Sequence, residues 1–429
     1  MASSSVPLHY AIIGGGISGL TLAIALHHRG VRVTLYEQAL QFGEIGAGVS
    51  FTPNALQAMR ICHEGIHEAF ERVCTRNLWA SKQKVWFDYH DAVNDKHAFS
   101  ITNDLGQNGV HRAQYLDELV KLLPDEAVSL GKKLRHIETD EQGRLRLLFE
   151  DGSTGLTDCV LACDGIKSKV RRVVFGEDHP CAAPSYSHKY AYRALVPMDE
   201  AVAAIGKEKA QNACMHNETD FVIQMGPGSH VLTFPVNMGQ VLNIVAFHTT
   251  EDEWPDSSRL TAPATREDAL RDFEGFGSTV TSLLQLVRPN MYTWAIFDLA
   301  DNPPPTFYKG RICLVGDAAH ASSPHHGAGA GLCIEDAAIL ATLLASDKVT
   351  SHAAAETAFA VYDSVRRERA AWLVQSSRHI GNTYEWLAPG IKDDLGKVEA
   401  EIKERNGIIA NFDVEASCKA AKNELERQI

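Results

Sequence analysis

Hydrophobic and polar residues follow two different periods along this chain, and the change of period marks its organisation. Near the N-terminus, the apolar run 10–13 is too short for a helix and stops at glycines, which predicts a buried parallel strand. Residues 20–28 predict a helix that Gly30 ends, and residues 31–36 predict a second strand that closes on Glu37. We interpret these elements as one βαβ unit.

Further along, from about residue 186 to 247, strands with period-two alternation replace this pattern. They are predicted at 189–196, 221–225, 230–236 and 241–247. A meander of this kind is typical of an antiparallel sheet, so we expect a second domain there. Helical periodicity returns at 355–379 and again from 397 to 429. The predicted fold class is α/β, a Rossmann-like βαβ domain interleaved with an antiparallel-sheet domain, plus C-terminal helices.

Three glycines stand between the first strand and the first helix. Gly14, Gly16 and Gly19 have the spacing G-x-G-x-x-G. In a dinucleotide-binding turn the first glycine permits the tight turn, the second lets the backbone approach a pyrophosphate, and the third lets the helix pack closely. Glu37 follows about 20 residues later, where an acid accepts the hydroxyls of an adenosine ribose. The alternative is a glycine-rich turn that serves packing alone.

Composition narrows the classes of partner. A formal net charge of −13 argues against nucleic acid and against an anionic membrane. No stretch approaches the roughly 18 apolar residues of a membrane span, and the first seven residues are too short and polar for a signal peptide. The nine cysteines are scattered, mostly in apolar runs, without zinc-ligand spacing. We therefore expect a cytoplasmic protein with reduced cysteines, no metal site, and a monomeric or homodimeric state.

Two further apolar runs end in small and acidic residues. Asp164 and Gly165 follow the run 159–163, and Gly316 and Asp317 follow the run 312–315. Taken singly, each aspartate has an alternative role as a cap that accepts from free N–H groups at a helix start.

Together with the opening glycines, these two stretches resemble the group A flavoprotein aromatic monooxygenases, which have the p-hydroxybenzoate hydroxylase fold. The resemblance covers about residues 8 to 385, and it implies that the chain binds FAD. It places the ADP part of FAD on the opening glycines and the ribityl or ribose hydroxyls on Asp317. The N-terminus of the helix that opens at residues 327–331 would point at the pyrimidine edge of the flavin and stabilise its anionic reduced form. The implied FAD-binding residues are Gly14, Gly16, Gly19, Glu37, Gly48, Arg112, Asp164, Asp317, Gly329 and Ala330.

The same resemblance implies a division into domains. Residues 8–180 and 291–385 would form the FAD-binding domain, residues 181–290 the substrate domain with its antiparallel sheet, and residues 386–429 a C-terminal helical segment. No second nucleotide-binding unit of the opening kind is present, so NADH or NADPH would act as a transient electron donor.

Within this family, several segments look most like salicylate hydroxylases, among them 106–112, 191–193 and 230–235. That likeness implies hydroxylation of a phenolic acid by oxygen through a flavin C4a-hydroperoxide, here salicylate to catechol with loss of carbon dioxide. Segments 186–193 and 324–329 also resemble fungal monooxygenases that dearomatise polyketide phenols. Those enzymes commonly hold the phenolate with a tyrosine, and this chain has Phe234 at the position considered. A non-catalytic FAD-fold protein and a flavin dehydrogenase are alternatives from other classes.

The reaction requires a group that takes the phenol proton, a cation for the resulting anion, and a dry flavin face. His230, Leu232 and Phe234 alternate onto one face of their predicted strand. A lone histidine on a strand also occurs as a structural residue, and a buried Arg193 also pairs with a protein carboxylate. The candidate catalytic residues are His230, His325 and Arg193, and the candidate pocket residues are Leu232, Phe234 and Pro324.

Overall fold

The computed structural model describes residues 7–42, 48–77, 81–205, 222–237 and 239–429. Residue 221, the predicted start of one strand, lies outside this range. The helices are α1 Ile17–His27, α2 Pro53–Cys62, α3 Glu64–Val73, α4 Arg112–Val120, α5 Lys169–Phe175, α6 Met198–Ile205, α7 Arg266–Asp272, α8 Ser278–Gln285, α9 Asp317–His320, α10 Gly329–Leu344, α11 His352–Tyr384, α12 Leu395–Ala410 and α13 Val414–Gln428.

The strands form two large sheets and two small ones. They are β1 His9–Ile13, β2 Arg32–Tyr36, β3 Gly48–Ser50, β4 Thr75–Arg76, β5 Val85–Asp91, β6 Lys96–Thr102, β7 Asn108–His111, β8 Val128–Ser129, β9 Leu134–Thr139, β10 Leu145–Phe149, β11 Thr154–Thr157, β12 Cys159–Ala162, β13 Ser185–Pro197, β14 Val222–Gly226, β15 Ser229–Val236, β16 Val241–Thr249, β17 Thr261–Thr265, β18 Asn290–Asp298, β19 Tyr308–Lys309 and β20 Ile312–Leu314.

The first large sheet contains the predicted βαβ unit. Its strand order is β19-β20-β12-β1-β2-β8, and β1 pairs in parallel with both β2 and β12. Helix α1 begins at Ile17, three residues before the predicted start, because its N-cap is Gly16 itself and the third glycine is already helical. The mixed α/β fold with this parallel region confirms the predicted class.

The apolar runs 145–149 and 155–162, on either side of the Asp151–Gly152 turn, predict a β-hairpin, and this prediction is only half correct. Strands β10 and β11 pair as an antiparallel hairpin, as expected. The predicted second strand splits, however, and β12 leaves the hairpin to pair in parallel with β1 and β20. All four residues of β12 are buried, whereas β11 is largely exposed. A short strand that is apolar on both faces belongs inside a parallel sheet, which explains the switch.

The second large sheet has eight strands in the order β17-β18-β13-β16-β15-β14-β5-β6. Strands β13 to β16 pair antiparallel, as the alternation predicted. Strands β5 and β6 join this sheet although they lie between residues 85 and 102, and β14 pairs with β5 in parallel. The domain boundaries stay a prediction. One face of the sheet packs against α6, α7 and α8, and the other face carries the side chains of the candidate site.

The C-terminal half of the chain is mainly helical. Helix α10 is buried along most of its length, and it packs against α1, α2, α11 and α13. Arg366 on α11 is fully buried, and it lies 2.7 Å from the carboxylates of both Glu335 and Asp336 on α10. None of the described helices is long and apolar enough to cross a membrane.

Candidate active site

The three opening glycines have different physical reasons to be glycine. Gly14 has φ +106°, and a Cβ there would lie 2.4 Å from the carbonyl oxygen of Cys163. A Cβ on Gly19 would lie 1.9 Å from the carbonyl oxygen of Gly14. A Cβ on Gly16 would meet only Nη2 of Arg112, at 3.6 Å. The protein's own packing therefore requires the first and third glycines, while the space in front of the second is open.

The acidic residue after β2 lies at this same turn. Oε2 of Glu37 accepts from the backbone N–H of Gly15 at 2.6 Å, and Oε1 accepts from the N–H of Ala39 at 2.8 Å. Each carboxylate oxygen accepts more than one hydrogen bond, so these contacts orient Glu37 and leave capacity for a ribose hydroxyl. That role stays a prediction.

The Asp164 side chain makes the contacts of a helix cap, the alternative role given above. Its Oδ1 accepts from the hydroxyl of Ser168 at 2.6 Å, and Oδ2 accepts from the N–H of Val170 at 3.0 Å. Burial raises the pKa of this carboxyl. Both oxygens hold the start of α5, and the predicted contact with FAD is untested.

The Gly316–Asp317 turn lies directly beside the opening glycines. Gly316 has φ +62°, and a Cβ there would lie 2.8 Å from the hydroxyl of Ser18 on α1. Its N–H donates to Oδ2 of Asp336 at 3.0 Å, and the same oxygen lies 2.6 Å from Nε2 of His320. The buried Asp336 therefore fixes both ends of the turn.

Asp317 itself remains exposed, although burial by the surrounding protein raises its pKa. We call the space that Asp317 shares with Arg112 and Gly16 the Asp317 cleft. The positive charge of Arg112 acts on the Asp317 carboxylate across this cleft and opposes that rise in pKa. Because Arg112 also faces Gly16, the glycine turn, the arginine and Asp317 surround one space.

The helix predicted to point at the flavin begins as expected. Its N-cap residue is Ala328, whose side chain cannot accept a hydrogen bond, and the first turn contains no acidic residue. By contrast, Ser351 caps α11 and Asp394 caps α12 with side-chain oxygens. The N–H groups of Gly329 and Ala330 therefore have no side-chain cap.

The sheet face opposite these elements carries the predicted pocket residues. His230, Leu232 and Phe234 all lie on β15, and cross-strand pairing sets Leu232 against Val245. A Cβ on Gly48 would lie 2.2 Å from the ring of Phe234, so that ring packs directly on the start of β3. This contact joins the eight-stranded sheet to β3.

Arg193 on β13 lies in the same row across the sheet, because Val245 on β16 pairs with Leu232 on one side and with Arg193 on the other. Its guanidinium stacks on the ring of Trp294, 5.1 Å from the ring centre. No described residue accepts from its buried Nε, and burial lowers the pKa of the guanidinium. The neighbours Tyr190 and Tyr192 point to the opposite face, where both hydroxyls donate to Asp272 at 2.6 Å.

His325 is buried, and neither ring nitrogen has a partner among the described residues. It lies edge-on to His230, with ring centres 5.2 Å apart, and edge-on to Phe247 at 5.0 Å. Burial holds its pKa well below the ordinary value, so the ring is neutral. Leaving a buried polar group unpaired costs about 1–3 kcal/mol. The preceding Pro324 is exposed.

Comparison with known proteins agrees with this geometry. Residues 8–377 match the FAD binding domain family. The FAD-dependent monooxygenase pigN of Monascus ruber is 46% identical, over 98% of each chain. A dual trans-enoyl reductase/FAD-dependent monooxygenase, tazHJ of Aspergillus terreus, is 44% identical over 98% of this chain and 61% of that one. A solved salicylate hydroxylase substrate complex is 34% identical, with a TM-score of 0.83 over 98% of each chain.

This chain belongs to the FAD-dependent aromatic monooxygenases. The fold and the FAD-binding family are those that the sequence resemblance implied.

The residues at the cleft suit FAD, which supplies the redox chemistry in this family. The open space before Gly16 and the N-terminus of α1, which has no side-chain cap, suit a diphosphate. Arg112 would supply a cation there, and the exposed Asp317 would supply an acceptor for hydroxyls.

Sequence reasoning missed two ionisable residues of this monooxygenase. Glu385, directly after α11, is fully buried and forms an ion pair with the buried Lys189 on β13. Oε1 of Glu385 lies 2.9 Å from Nδ1 of His230, and Oε2 also accepts from the hydroxyl of Thr249. No local motif marks Glu385, because its partners lie 136 to 196 residues away in the chain.

Proposed function

We propose that this protein consumes NADH or NADPH and oxygen to hydroxylate the ring of a phenol held between the Asp317 cleft and the His230 face of the sheet. The observation that carries the proposal is the row of side chains on that face. It combines His230, whose Nδ1 faces a carboxylate, with Arg193, whose Nε donor is unpaired, and with apolar neighbours, and the unpartnered His325 packs edge-on against His230.

In this proposal the phenol ring lies against Leu232 and Phe234. A phenol ring is electron-rich enough for hydroxylation once its proton has left, so a base and a cation near the hydroxyl both favour the reaction. His230 takes the proton, and Arg193 stabilises the anion with the donor that the protein leaves unpaired. The apolar side chains around them exclude water from the reacting ring.

Two phenol classes fit this arrangement. The higher identity to the fungal monooxygenases pigN and tazHJ supports a polyketide phenol, the substrate class of the fungal monooxygenases that segments 186–193 and 324–329 resemble. For such a substrate we propose hydroxylative dearomatisation. Salicylate, converted to catechol with loss of carbon dioxide, is the second candidate. It is supported by the likeness to the salicylate hydroxylase complex and by a phenylalanine, Phe234, at the strand position considered for a phenolate-binding tyrosine.

The test is aerobic turnover of the FAD-loaded protein with NADH or NADPH and a panel of phenols, including salicylate and alkyl-substituted resorcinols. We expect a phenol to accelerate nicotinamide oxidation and to be converted to a hydroxylated product. Catechol with stoichiometric carbon dioxide would establish the salicylate reaction. Nicotinamide oxidation that no phenol accelerates would contradict the proposal.

A further inference from the structure

We propose that Glu385 is a positioning residue that sets His230 in the tautomer with a free electron pair on Nε2, and that Lys189 enforces this orientation. The inference rests on the proposed function, since it assigns the direction in which His230 moves a proton. It follows from the hydrogen-bond capacity of the three groups.

The carboxylate of Glu385 is ionised. Burial alone would raise its pKa, but the charge of Lys189 and the contact with His230 outweigh burial and hold it well below the ordinary value, at about 2. An ionised carboxylate only accepts hydrogen bonds. Nδ1 of His230, 2.9 Å from Oε1, must therefore carry a hydrogen and donate it.

His230 is neutral, because burial lowers its pKa despite the opposing effect of Glu385. A neutral imidazole carries one hydrogen, so Nε2 has none and accepts. No described residue forms a hydrogen bond with Nε2. The other groups facing the ring are Phe247, stacked at 4.6 Å between centres, and the edges of His325 and Tyr384. His230 is thus prepared to take a proton through Nε2.

Lys189 fixes which side-chain atom of residue 385 faces His230. Its ammonium has donors only, and it contacts Oε2 of Glu385 and the hydroxyl of Thr249. Lys189 therefore requires an oxygen at the Oε2 position. If a substitution replaces one of the two carboxylate oxygens of Glu385, the new atom must take the Oε1 position, which faces His230. A network that served stability alone would not need His230 in one tautomer, and apolar side chains replace buried ion pairs at little or no cost.

Glu385→Gln is a sharp test. Lys189 would hold the amide oxygen, which turns the amide NH₂ toward His230. Nδ1 would then accept, and the ring would invert to the tautomer with hydrogen on Nε2. Adding Lys189→Met to Glu385→Gln frees the amide to rotate, and the original tautomer should return.

The measurement is a long-range ¹H–¹⁵N correlation spectrum of the FAD-loaded protein with ¹⁵N-labelled histidine. The spectrum of His230→Gln identifies the signals of His230. We expect Nδ1 protonated in the wild type, Nε2 protonated in Glu385→Gln, and Nδ1 protonated again in the double variant. An Nε2–H tautomer in the wild type, or an unchanged tautomer in Glu385→Gln, would overturn the proposal. If Glu385→Gln does not fold, the wild-type tautomer alone decides.

Turnover gives the second readout. Loss of a base costs about 10²–10⁴-fold, so we expect Glu385→Gln to lose at least about 100-fold in phenol-stimulated nicotinamide oxidation at pH 7, with a smaller deficit at pH 9, where more phenol is ionised in solution. A deficit equal at both pH values would overturn the positioning role. A wild type with the expected tautomer that oxidises no nicotinamide with any phenol would refute the proposed function alone, because the Glu385 assignment stands on the spectrum.

Discussion

Replacing Gly16 by alanine tests whether the open space before the glycine turn is the FAD diphosphate site. The backbone at Gly16 has φ −74°, which alanine adopts without strain, and the new Cβ would lie 3.6 Å from its nearest neighbour. We therefore expect the free energy of unfolding without FAD to change by no more than about 0.5 kcal/mol. The Cβ would occupy the surface that a diphosphate approaches, so FAD affinity should fall about 10- to 100-fold, or ~1.4–2.8 kcal/mol.

Gly19→Ala, three residues away, is the matched control. Its Cβ would lie 1.9 Å from the carbonyl oxygen of Gly14, so the helix must shift, at a cost of about 1–3 kcal/mol in stability. The assay is urea unfolding of the apoprotein together with titration of FAD fluorescence. If Gly16→Ala keeps wild-type FAD affinity, or unfolds as readily as Gly19→Ala, the site assignment is refuted.

Four further predictions concern other parts of the molecule. Arg366→Met leaves two buried carboxylates with less compensation and should lower the free energy of unfolding by about 3–5 kcal/mol in urea titrations. Gly48→Ala should displace the ring of Phe234 and raise KM for the phenol about tenfold, and Phe234→Leu in that background should restore it. Arg193→Ala should raise KM about 10- to 100-fold and divert turnover to hydrogen peroxide, with Arg193→Lys less affected. The pKa of Glu385 is lowered from 4.5 to about 2, so the stability it contributes is present above pH 4.5 and should be lost as the pH falls toward 2.

Each of these four predictions has its own contradicting outcome. A stable Arg366→Met protein would show that the ion pairs add nothing to the fold, and a wild-type KM in Gly48→Ala would remove the Phe234 ring from the pocket. Unchanged coupling and KM in Arg193→Ala would remove that side chain from the site. Acid titrations of the wild type and of Glu385→Gln that run parallel between pH 4.5 and 2 would contradict the pH argument.

The parts of the fold that sequence predicts are those that local rules determine. The glycines, the apolar run of β1 and the acid after β2 lie within 30 residues, and each has a separate steric or electrostatic reason. Period-two alternation likewise locates β13 to β16, since one face of that sheet packs on helices. The predicted start of α1 is three residues too late, because glycine is unfavourable in a helix interior, yet the close approach of Gly19 to Gly14 requires a glycine there.

The sequence could not predict contacts between residues that lie far apart in the chain. In the sequence Arg193 stands close to Tyr190 and Tyr192, but strand pleating sends those tyrosines to the other face, where Asp272 accepts hydrogen bonds from their hydroxyls. The partner of His230 lies 155 residues away, at the end of α11. Only the tertiary fold brings that carboxylate to the sheet.

The most direct test of the central claim is turnover under ¹⁸O₂ of the FAD-loaded protein with NADH or NADPH and the phenol that most accelerates nicotinamide oxidation, followed by mass spectrometry of the product. The account predicts that the phenol gains one labelled oxygen atom, because a monooxygenase transfers one atom of O₂ to the ring. A product without label, with all the consumed oxygen recovered as hydrogen peroxide, would contradict it.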